Sequence, residues 1–357
     1  MKHTDIFNVR GAVYVSARAF NAYQMWRDYD RDETARDLGF AQRLNLNALR
    51  IWLSYEFWQE DREAAFSRFD HLLSASAERG ILIVPSLYEG NGPDAVPEHL
   101  NDTSIDTAVC VASPSREIIL DQSRWEAPKE FVRAFMQRFA NDSRILAIEP
   151  FNEPENLGIF EKKDDPQRFF LLRSSCMKFN REIVAIANDM KGEIPVTVGC
   201  GPIALNGAYE DLGNDIWQFH HNFAKSEEEL KSSLDEARLL QEVMGKPVWI
   251  SEWQRIRSRA GWLGEEIPEE LLMPNLASSA SLISDSGIGS FFWSLMLKPA
   301  YLAGQRKAKT LNGVFHEDGA VYSLRDARAV SGNKDFIGEE RPEWPQWIKD
   351  SYPEYLR

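Results

Sequence analysis

The chain has 357 residues, of which 43% are hydrophobic, so it can bury the core of one large barrel or of two ordinary domains. Its 55 acidic and 41 basic residues give a formal net charge of -14; this charge repels phosphate backbones and anionic lipid, so we expect neither nucleic acid nor a membrane as a partner. Three widely spaced cysteines, Cys110, Cys176 and Cys200, are not typical of a disulfide framework or a metal site.

The start of the chain carries no export signal that can be read from its residues. Residues 1–11 (MKHTDIFNVRG) contain no apolar signal core, and no apolar run approaches the roughly 20 residues that cross a bilayer. We therefore expect a cytoplasmic protein, or a secreted one if a signal peptide was removed ahead of this sequence.

Short apolar runs alternate with amphipathic stretches along the chain. The runs are residues 11–17, 47–54, 81–88, 145–152, 194–200, 216–222, 247–253 and 289–296. They are too continuous for strands with one face in water, which favours a parallel sheet covered by helices on both faces. Eight such runs predict an α/β fold of the (β/α)8 TIM-barrel type.

Between the runs, helix signals are clear in several places. Residues 226–244 begin with a capping box formed by Ser226 and Glu229 and end before Gly245. Two more helices are indicated by apolar stripes at helical spacing, formed by Phe66, Phe69 and Leu73 and by Phe131, Phe135 and Phe139.

Two segments interrupt the alternation. Residues 89–125 form a long aperiodic loop after the third run, and we expect this loop to shape the mouth of a site. Residues 201–215 are too short for a full helix and predict an irregular crossover. Because no linker rich in Gly, Pro or Ser divides the chain, we expect one catalytic barrel over residues 1–330 and a C-terminal tail over residues 331–357 that packs on it.

In a barrel of this type the active site lies at the C-terminal ends of the strands. Glu153 follows the fourth run and Glu252 ends the seventh, which places two carboxylic acids across the barrel mouth, as glycosidic bond cleavage requires. At about 5 Å and an effective dielectric of about 20 their charges repel by roughly 3 kcal/mol. That repulsion raises the pKa of one acid to above about 6, so we expect one of the two to stay protonated near neutral pH.

Other side chains at the strand ends complete the predicted site. Arg50 is expected to hold the second carboxylate ionised, with His220 as a neutral hydrogen-bonding neighbour. Asn152 is expected to donate a hydrogen bond to the 2-hydroxyl of a sugar, and Trp293 to lie under the sugar ring. Glu149 has the strand parity of an inward residue and is expected to pair with Arg50. Further substrate contacts are expected from Glu89, Trp26, Trp58 and Asn222.

These residues match a known pattern. From RGAVY through NALRIWL, FNEPEN, DIWQFHHNF and KPVWISEWQ to GSFFWSLM, the chain resembles glycoside hydrolase clan A, and within it the family 5 type of cellulase and mannanase barrel. The Asn-Glu-Pro tripeptide of residues 152–154 and a lone Glu on strand seven are the most specific part. The resemblance implies that Glu153 is the acid/base and Glu252 the nucleophile. It also maps the family's other site residues onto Arg50, Asn152, His220 and Trp293.

Two positions depart from the family pattern. The family has His-x-Tyr on strand six, with the Tyr hydroxyl in contact with the nucleophile, whereas the third position here is Asn222, whose amide can donate instead. Gln254 stands where a Gly commonly follows the strand-seven Glu-aromatic pair.

The sequence thus predicts a retaining β-glycoside hydrolase that cleaves β-linked oligosaccharides of the β-mannoside or β-glucoside class by double displacement, without a cofactor or metal. Two alternatives stay open. One is a metal-dependent sugar isomerase or epimerase on the same barrel, with Glu153, Glu252 and His220 as ligands; the other is a non-catalytic carbohydrate-binding barrel. The sugar, its linkage, exo or endo action and the oligomeric state are left open.

Overall fold

Six of the eight predicted strands form one parallel sheet. The structure, a computed structural model, describes residues 5–259 and 267–357. The strands are β1 (Arg10–Val13), β2 (Ala48–Trp52), β3 (Leu82–Ser86), β4 (Trp217–His221), β5 (Val248–Trp253) and β6 (Gly289–Phe292). They lie in the order β3-β2-β1-β6-β5-β4, and every pair is parallel. All residues of β2 and β5 are buried, which is why these runs read as continuously apolar.

The fourth and fifth runs contribute bridges in place of continuous strands. The bridges join Ile83 to Ile145, Ser86 to Glu149, and Ile148 to Val196, all in parallel orientation. They continue the sheet beyond β3. A parallel sheet with covering helices is an α/β arrangement of the TIM-barrel type.

Helices follow most of the strands. They are α1 (Ala22–Arg27), α2 (Arg31–Arg43), α3 (Tyr55–Glu60), α4 (Arg62–Ala77), α5 (Pro97–Asn101), α6 (Arg116–Leu120), α7 (Glu126–Phe139), α8 (Pro166–Met190), α9 (Glu227–Met244), α10 (Ala277–Ser286), α11 (Ala303–Lys307), α12 (Leu324–Ser331) and α13 (Gln346–Ser351). An antiparallel pair, β7 (Lys298–Pro299) and β8 (Leu311–Asn312), flanks α11. Among the described residues, no helix combines the length and apolarity that crossing a lipid bilayer requires.

The helix signals in the sequence are confirmed. The Ser226 hydroxyl accepts a hydrogen bond from the Glu229 N–H at 3.2 Å, and α9 ends at Gly245, whose φ is +65°. The two phenylalanine stripes lie on α4 and α7 and pack against each other. The ring of Phe69, for example, meets that of Phe139 edge to face at 5.0 Å, which buries both rings in the layer outside the sheet.

The two irregular segments differ in structure. Residues 89–125 contain α5 and α6 between stretches of loop. In the crossover, residues Ile203–Leu212 form a 3-10 helix, in agreement with the prediction that it is too short for a full α-helix. At the end of the chain, Trp347 and Ile348 of α13 form a small buried cluster with Phe20 and with Ile105 and Ala108 of the long loop.

Gly199 lies next to the site, and a substitution at this position tests how closely the backbone is packed there. Its φ is +73°, and a Cβ at this position would lie 1.4 Å from the Phe151 carbonyl oxygen. Gly245 has a similar φ of +65° with open space around it. We therefore expect Gly199→Ala to lower the free energy of unfolding by more than about 3 kcal/mol, and Gly245→Ala by about 1 kcal/mol, because only the first adds a collision to the backbone strain. Urea denaturation measures both. Equal losses would show that Phe151 can move aside.

Candidate active site

Most of the predicted site residues gather around one cavity of about 470 Å³ at the C-terminal ends of the strands. Seven of them line it: Glu89, Asn152, Glu153, His220, Asn222, Glu252 and Trp293. Its volume lies within the range of pockets that bind a small ligand.

The two acids of the predicted pair face each other in this cavity. One carboxylate oxygen of Glu153, one of Glu252 and a ring nitrogen of His220 all lie within 4.8 Å of one another. Glu252 belongs to β5 and is held by the sheet. Glu153 follows the fourth run, where its N–H donates to the Gly199 carbonyl at 2.8 Å and its φ of +48° is uncommon for a residue other than Gly. This left-handed turn, followed by Pro154, ends the apolar run at the acid.

Arg50 lies behind the cavity and joins three segments of the barrel. From β2, its Nη1 donates to Glu252 Oε1 at 2.8 Å. Its Nε and Nη2 donate to the two oxygens of Glu149 at 2.9 and 2.5 Å, and Nη2 also donates to Asn152 Oδ1 at 2.6 Å. The predicted pairing of Arg50 with Glu149 is therefore confirmed. Although burial alone lowers the pKa of Arg50, the charges of Glu149 and Glu252 raise it above its usual range.

Asn222 and Gln254, the two residues that depart from the family pattern, contact each other. Asn222 Nδ2 donates to Glu252 Oε2 at 3.0 Å, and Gln254 Nε2 donates to Asn222 Oδ1 at 3.1 Å. Gln254 thereby fixes which end of the Asn222 amide faces Glu252. The amide gives Glu252 the hydrogen bond that the family takes from a Tyr hydroxyl.

Glu153 accepts several hydrogen bonds. His220 Nδ1 lies 2.6 Å from Glu153 Oε1, and the side-chain amides of Asn91 and Asn156 donate to Oε2 at 2.6 and 2.8 Å. Although burial alone raises the pKa of Glu153, the charge of His220 and these hydrogen bonds hold it well below its usual range. Burial likewise lowers the pKa of His220, but the charges of Glu252 and Glu153 raise it to about 9.

These shifts correct two expectations. Repulsion between the two acids was expected to leave a proton on one of them, and His220 was expected to be neutral. In the structure the imidazole lies between the acids, 2.6 Å from Glu153 and 3.8 Å from Glu252. Two negative charges stabilise the imidazolium, so at neutral pH the proton resides on His220.

A different carboxyl in the cavity keeps its proton. Glu89 is 5% exposed, and burial is the main cause that raises its pKa to about 8, with a contribution from the charge of Glu153. Its Oε1 accepts from the amide of Asn152 at 2.9 Å and from the N–H of Asn91 at 2.8 Å. Asn152, which was expected to reach a sugar hydroxyl, thus already donates one of its two amide hydrogens to Glu89.

Trp26 and Trp58 were expected to contact substrate, and this expectation is wrong. Both rings are 2% exposed. Trp26 donates its indole N–H to the Trp52 carbonyl at 2.7 Å, and Trp58 packs against Phe131 of α7 at 5.1 Å. Neither ring lines the cavity, so neither can stack on a sugar bound there.

Other residues of the site were missed because they lie beyond the ends of the apolar runs. Asn91 and Asn156, which both bond Glu153, follow Glu89 and Glu153 by two and three residues, and that proximity is the one signal that could have identified them. Glu155 was also missed. It is buried behind the site, where its Oε1 accepts from the Gly201 N–H at 2.8 Å, and burial together with the charge of Glu153 raises its pKa to about 7.

No family model matches this chain, and no curated protein sequence matches it. Solved structures resemble it over most of its length. The hyperthermostable endo-1,4-β-D-mannanase from Thermotoga petrophila superimposes with a TM-score of 0.57 and 12% identity, over 92% of this chain and 99% of that chain. For the exo-β-1,4-mannosidase from Opitutaceae bacterium strain TAV5 the TM-score is 0.63 and the identity 16%, over 91% of this chain and 59% of that chain.

A third solved structure, GH5_18 from Streptomyces cattleya in complex with GlcNAc, gives a TM-score of 0.61 and 16% identity, over 94% of this chain and 83% of that chain. At such identities the likeness shows a shared fold. The resemblance to the family 5 type of clan A barrel is therefore confirmed at the level of the fold.

The His220 charge predicts a pH dependence of stability. Folding raises the pKa of His220 from 6.5 to about 9, so the stabilisation is complete below pH 6.5 and is lost as the pH rises through 9. We expect the free energy of unfolding to fall by roughly 3 kcal/mol across that interval, and to change much less in His220→Gln. His221→Gln is the matched control, because burial lowers the pKa of His221. Urea denaturation at several pH values measures this; an equal loss in His220→Gln would contradict the charge assignment.

Proposed function

We propose that the protein is a retaining β-glycoside hydrolase. The observation that carries the proposal is the placement of Glu153 and Glu252 in one cavity, with carboxylate oxygens within 4.8 Å of each other. Retaining glycosidases hold their two carboxyl groups about 5 to 5.5 Å apart, whereas inverting enzymes need roughly 6.5 to 9.5 Å to admit a water between the acid and the sugar.

In the first step of the proposed reaction, a carboxylate oxygen of Glu252 attacks the anomeric carbon and the bond to the leaving oxygen breaks. Arg50 and Asn222 donate to Glu252, and these hydrogen bonds fix the orientation of the attacking carboxylate. Glu153 receives the proton held by His220 at 2.6 Å and delivers it to the leaving oxygen. Glu153 then removes a proton from water, whose oxygen displaces Glu252 and releases the sugar with its configuration retained. Glu153 returns this proton to His220, which restores the starting state.

The proposed substrates are β-linked oligosaccharides of the β-mannoside or β-glucoside class. The cavity supports this class by combining hydrogen-bonding groups with the indole of Trp293, which offers an apolar face to a sugar ring. Solved structures of similar fold include an endo-1,4-β-D-mannanase, an exo-β-1,4-mannosidase and a GH5_18 variant in complex with Manβ1-4GlcNAc. We further propose that the bridges of the fourth and fifth runs complete an eight-stranded barrel, and that residues 1–330 are its catalytic unit.

A metal-dependent isomerase or epimerase is the second candidate, because Glu153, His220 and Glu252 offer three ligand atoms within 4.8 Å of one another. The surroundings favour the hydrolase. Arg50 places a permanent positive charge 2.8 Å from Glu252, and this charge repels a divalent cation at the same carboxylate. We expect hydrolysis to survive exhaustive chelation, and activity that needs an added divalent cation would favour the isomerase.

Variants of the two acids separate their roles. With an activated aryl β-glycoside, we expect Glu252→Ala to lose at least about a thousandfold in turnover. Azide then enters the space of the missing carboxylate, and a single displacement gives a glycosyl azide of inverted configuration. Azide with Glu153→Ala is expected to give the azide of retained configuration, because Glu252 still forms the covalent intermediate.

Proton NMR of the azide products measures the configuration, and Asn222→Ala serves as a control that keeps both acids. A glycosyl azide of inverted configuration from Glu153→Ala, with no glycosyl azide from Glu252→Ala, would mean that Glu153 is the nucleophile and Glu252 the acid/base. Unchanged activity in both variants would exclude the site. A parent chain that binds the glycoside but does not hydrolyse it would favour the non-catalytic carbohydrate-binding barrel.

A further inference from the structure

One end of the cavity is built by the segment that follows β6. Residues 298–312 fold as β7, α11 and β8 beside the cavity, and four of these residues line it: Tyr301, Leu302, Gln305 and Asn312. We call residues 298–312 the end wall. Tyr301 and Gln305 are buried, with exposed fractions of 8% and 4%, so the wall is a packed part of the barrel mouth.

A buried arginine ties the end wall to the long loop after β3. Arg306 is 1% exposed, and its guanidinium donates to the carbonyl oxygens of Ile105, Ala300 and Tyr301 at 2.9, 3.1 and 2.9 Å. It also donates to the carbonyl of Ala108. Four backbone acceptors around one planar donor group fix the wall against residues 89–125.

Two further contacts hold the wall from its other sides. Lys298 Nζ donates to the carbonyl oxygen of Ser16 at 2.9 Å and also to that of Ala19, in the segment after β1. From the C-terminal tail, the Tyr355 hydroxyl donates to the Arg306 carbonyl at 2.6 Å. The wall is thus bound to three separate parts of the chain, so it will not swing open as a free loop.

Aromatic rings fill the rim between β2 and the end wall. Trp52 at the end of β2 stacks on Tyr301, with planes 10° apart and ring centroids 5.9 Å apart. Trp293 meets Trp52 at 5.3 Å and Tyr301 at 5.6 Å. A glycan that continued past Trp293 in this direction would have to separate these packed rings.

The positions of Glu153 and Glu252 indicate which end of the substrate contacts the end wall. The leaving group lies beside the proton donor, Glu153, where Asn156 and Ile159 line the cavity. The sugar that is attacked lies beside Glu252 and over Trp293, whose ring contacts Tyr301 of the wall. The wall therefore stands at the non-reducing end of the sugar that is attacked.

We propose that this enclosed end accepts a single terminal sugar, so that the enzyme removes one residue at a time from the non-reducing end of its substrate. The inference deepens the proposed hydrolase function and rests on it. Gln305 is the specificity-determining residue of the wall. Among the described residues its buried Nε2 has no hydrogen-bond partner, and a hydroxyl oxygen of the terminal sugar supplies the missing acceptor.

The product pattern tests exo action. The probes are β-1,4-mannopentaose and cellopentaose labelled at the reducing end, and the same chains methylated at O4 of the non-reducing sugar. We expect labelled tetramer and free monosaccharide as the first products, and at least a hundredfold slower cleavage of the methylated chains, because the wall leaves no room beyond the terminal sugar. Labelled dimer and trimer from the start, or equal cleavage of the methylated chains, would overturn the inference while the hydrolase function stands. Failure to cleave any β-mannoside or β-glucoside would overturn the hydrolase function itself.

A variant of the wall tests the role of Gln305. With an aryl β-glycoside of one sugar, we expect Gln305→Ala to raise KM about tenfold and to change kcat less than about threefold, because the lost hydrogen bond lies away from the reacting atoms. Gln346→Ala, at an exposed position of α13, is the matched control and is expected to match the parent chain. A KM for Gln305→Ala equal to that of the control would overturn the role of Gln305.

Discussion

The buried charge of Arg50 is the constraint on which the site depends. The guanidinium is 1% exposed, and a buried ion is tolerated only when its charge and its donors are matched. Glu149, Glu252 and Asn152 provide that match from the fourth run and from β5. One cation from β2 thereby positions both the proposed nucleophile and the amide next to the proposed acid. Replacing it would leave two carboxylates facing each other in the core, so its structural and chemical roles cannot be separated.

The cavity holds several acids in a small volume by giving each a different environment. Arg50 donates a hydrogen bond to Glu252, and the imidazolium of His220 lies against Glu153. Burial raises the pKa of Glu89 to about 8 and that of Glu155 to about 7. In the proposed reaction the proton for the leaving group is therefore held on His220, one hydrogen bond from the proposed acid, Glu153. This arrangement differs from one in which two carboxyls share a proton by mutual repulsion.

Much of the fold and of the candidate site could be predicted from the sequence, because the spacing of the hydrophobic residues shows which faces of a strand or helix are buried. The six strands of the sheet, the capped helix α9 and the residues at strand ends follow from that pattern. The charge of His220 was predicted wrongly because it depends on its distance to Glu153, which folding sets and spacing along the chain does not show. Trp26 and Trp58 were misassigned because composition cannot distinguish a core indole from a binding face. Gln305 lies on the short helix α11, whose position beside the cavity only the folded structure gives.

The covalent intermediate is the most direct test of the account. An activated 2-deoxy-2-fluoro β-glycoside slows both steps, so the sugar accumulates on the nucleophile, and peptide mass spectrometry of the trapped protein locates the bond. We predict one sugar per chain on the peptide of β5, attached to Glu252, with loss of activity in proportion to labelling. A sugar attached to Glu153, or turnover that proceeds with inversion and without any covalent adduct, would contradict the assignment of Glu252 as the nucleophile that Arg50 positions.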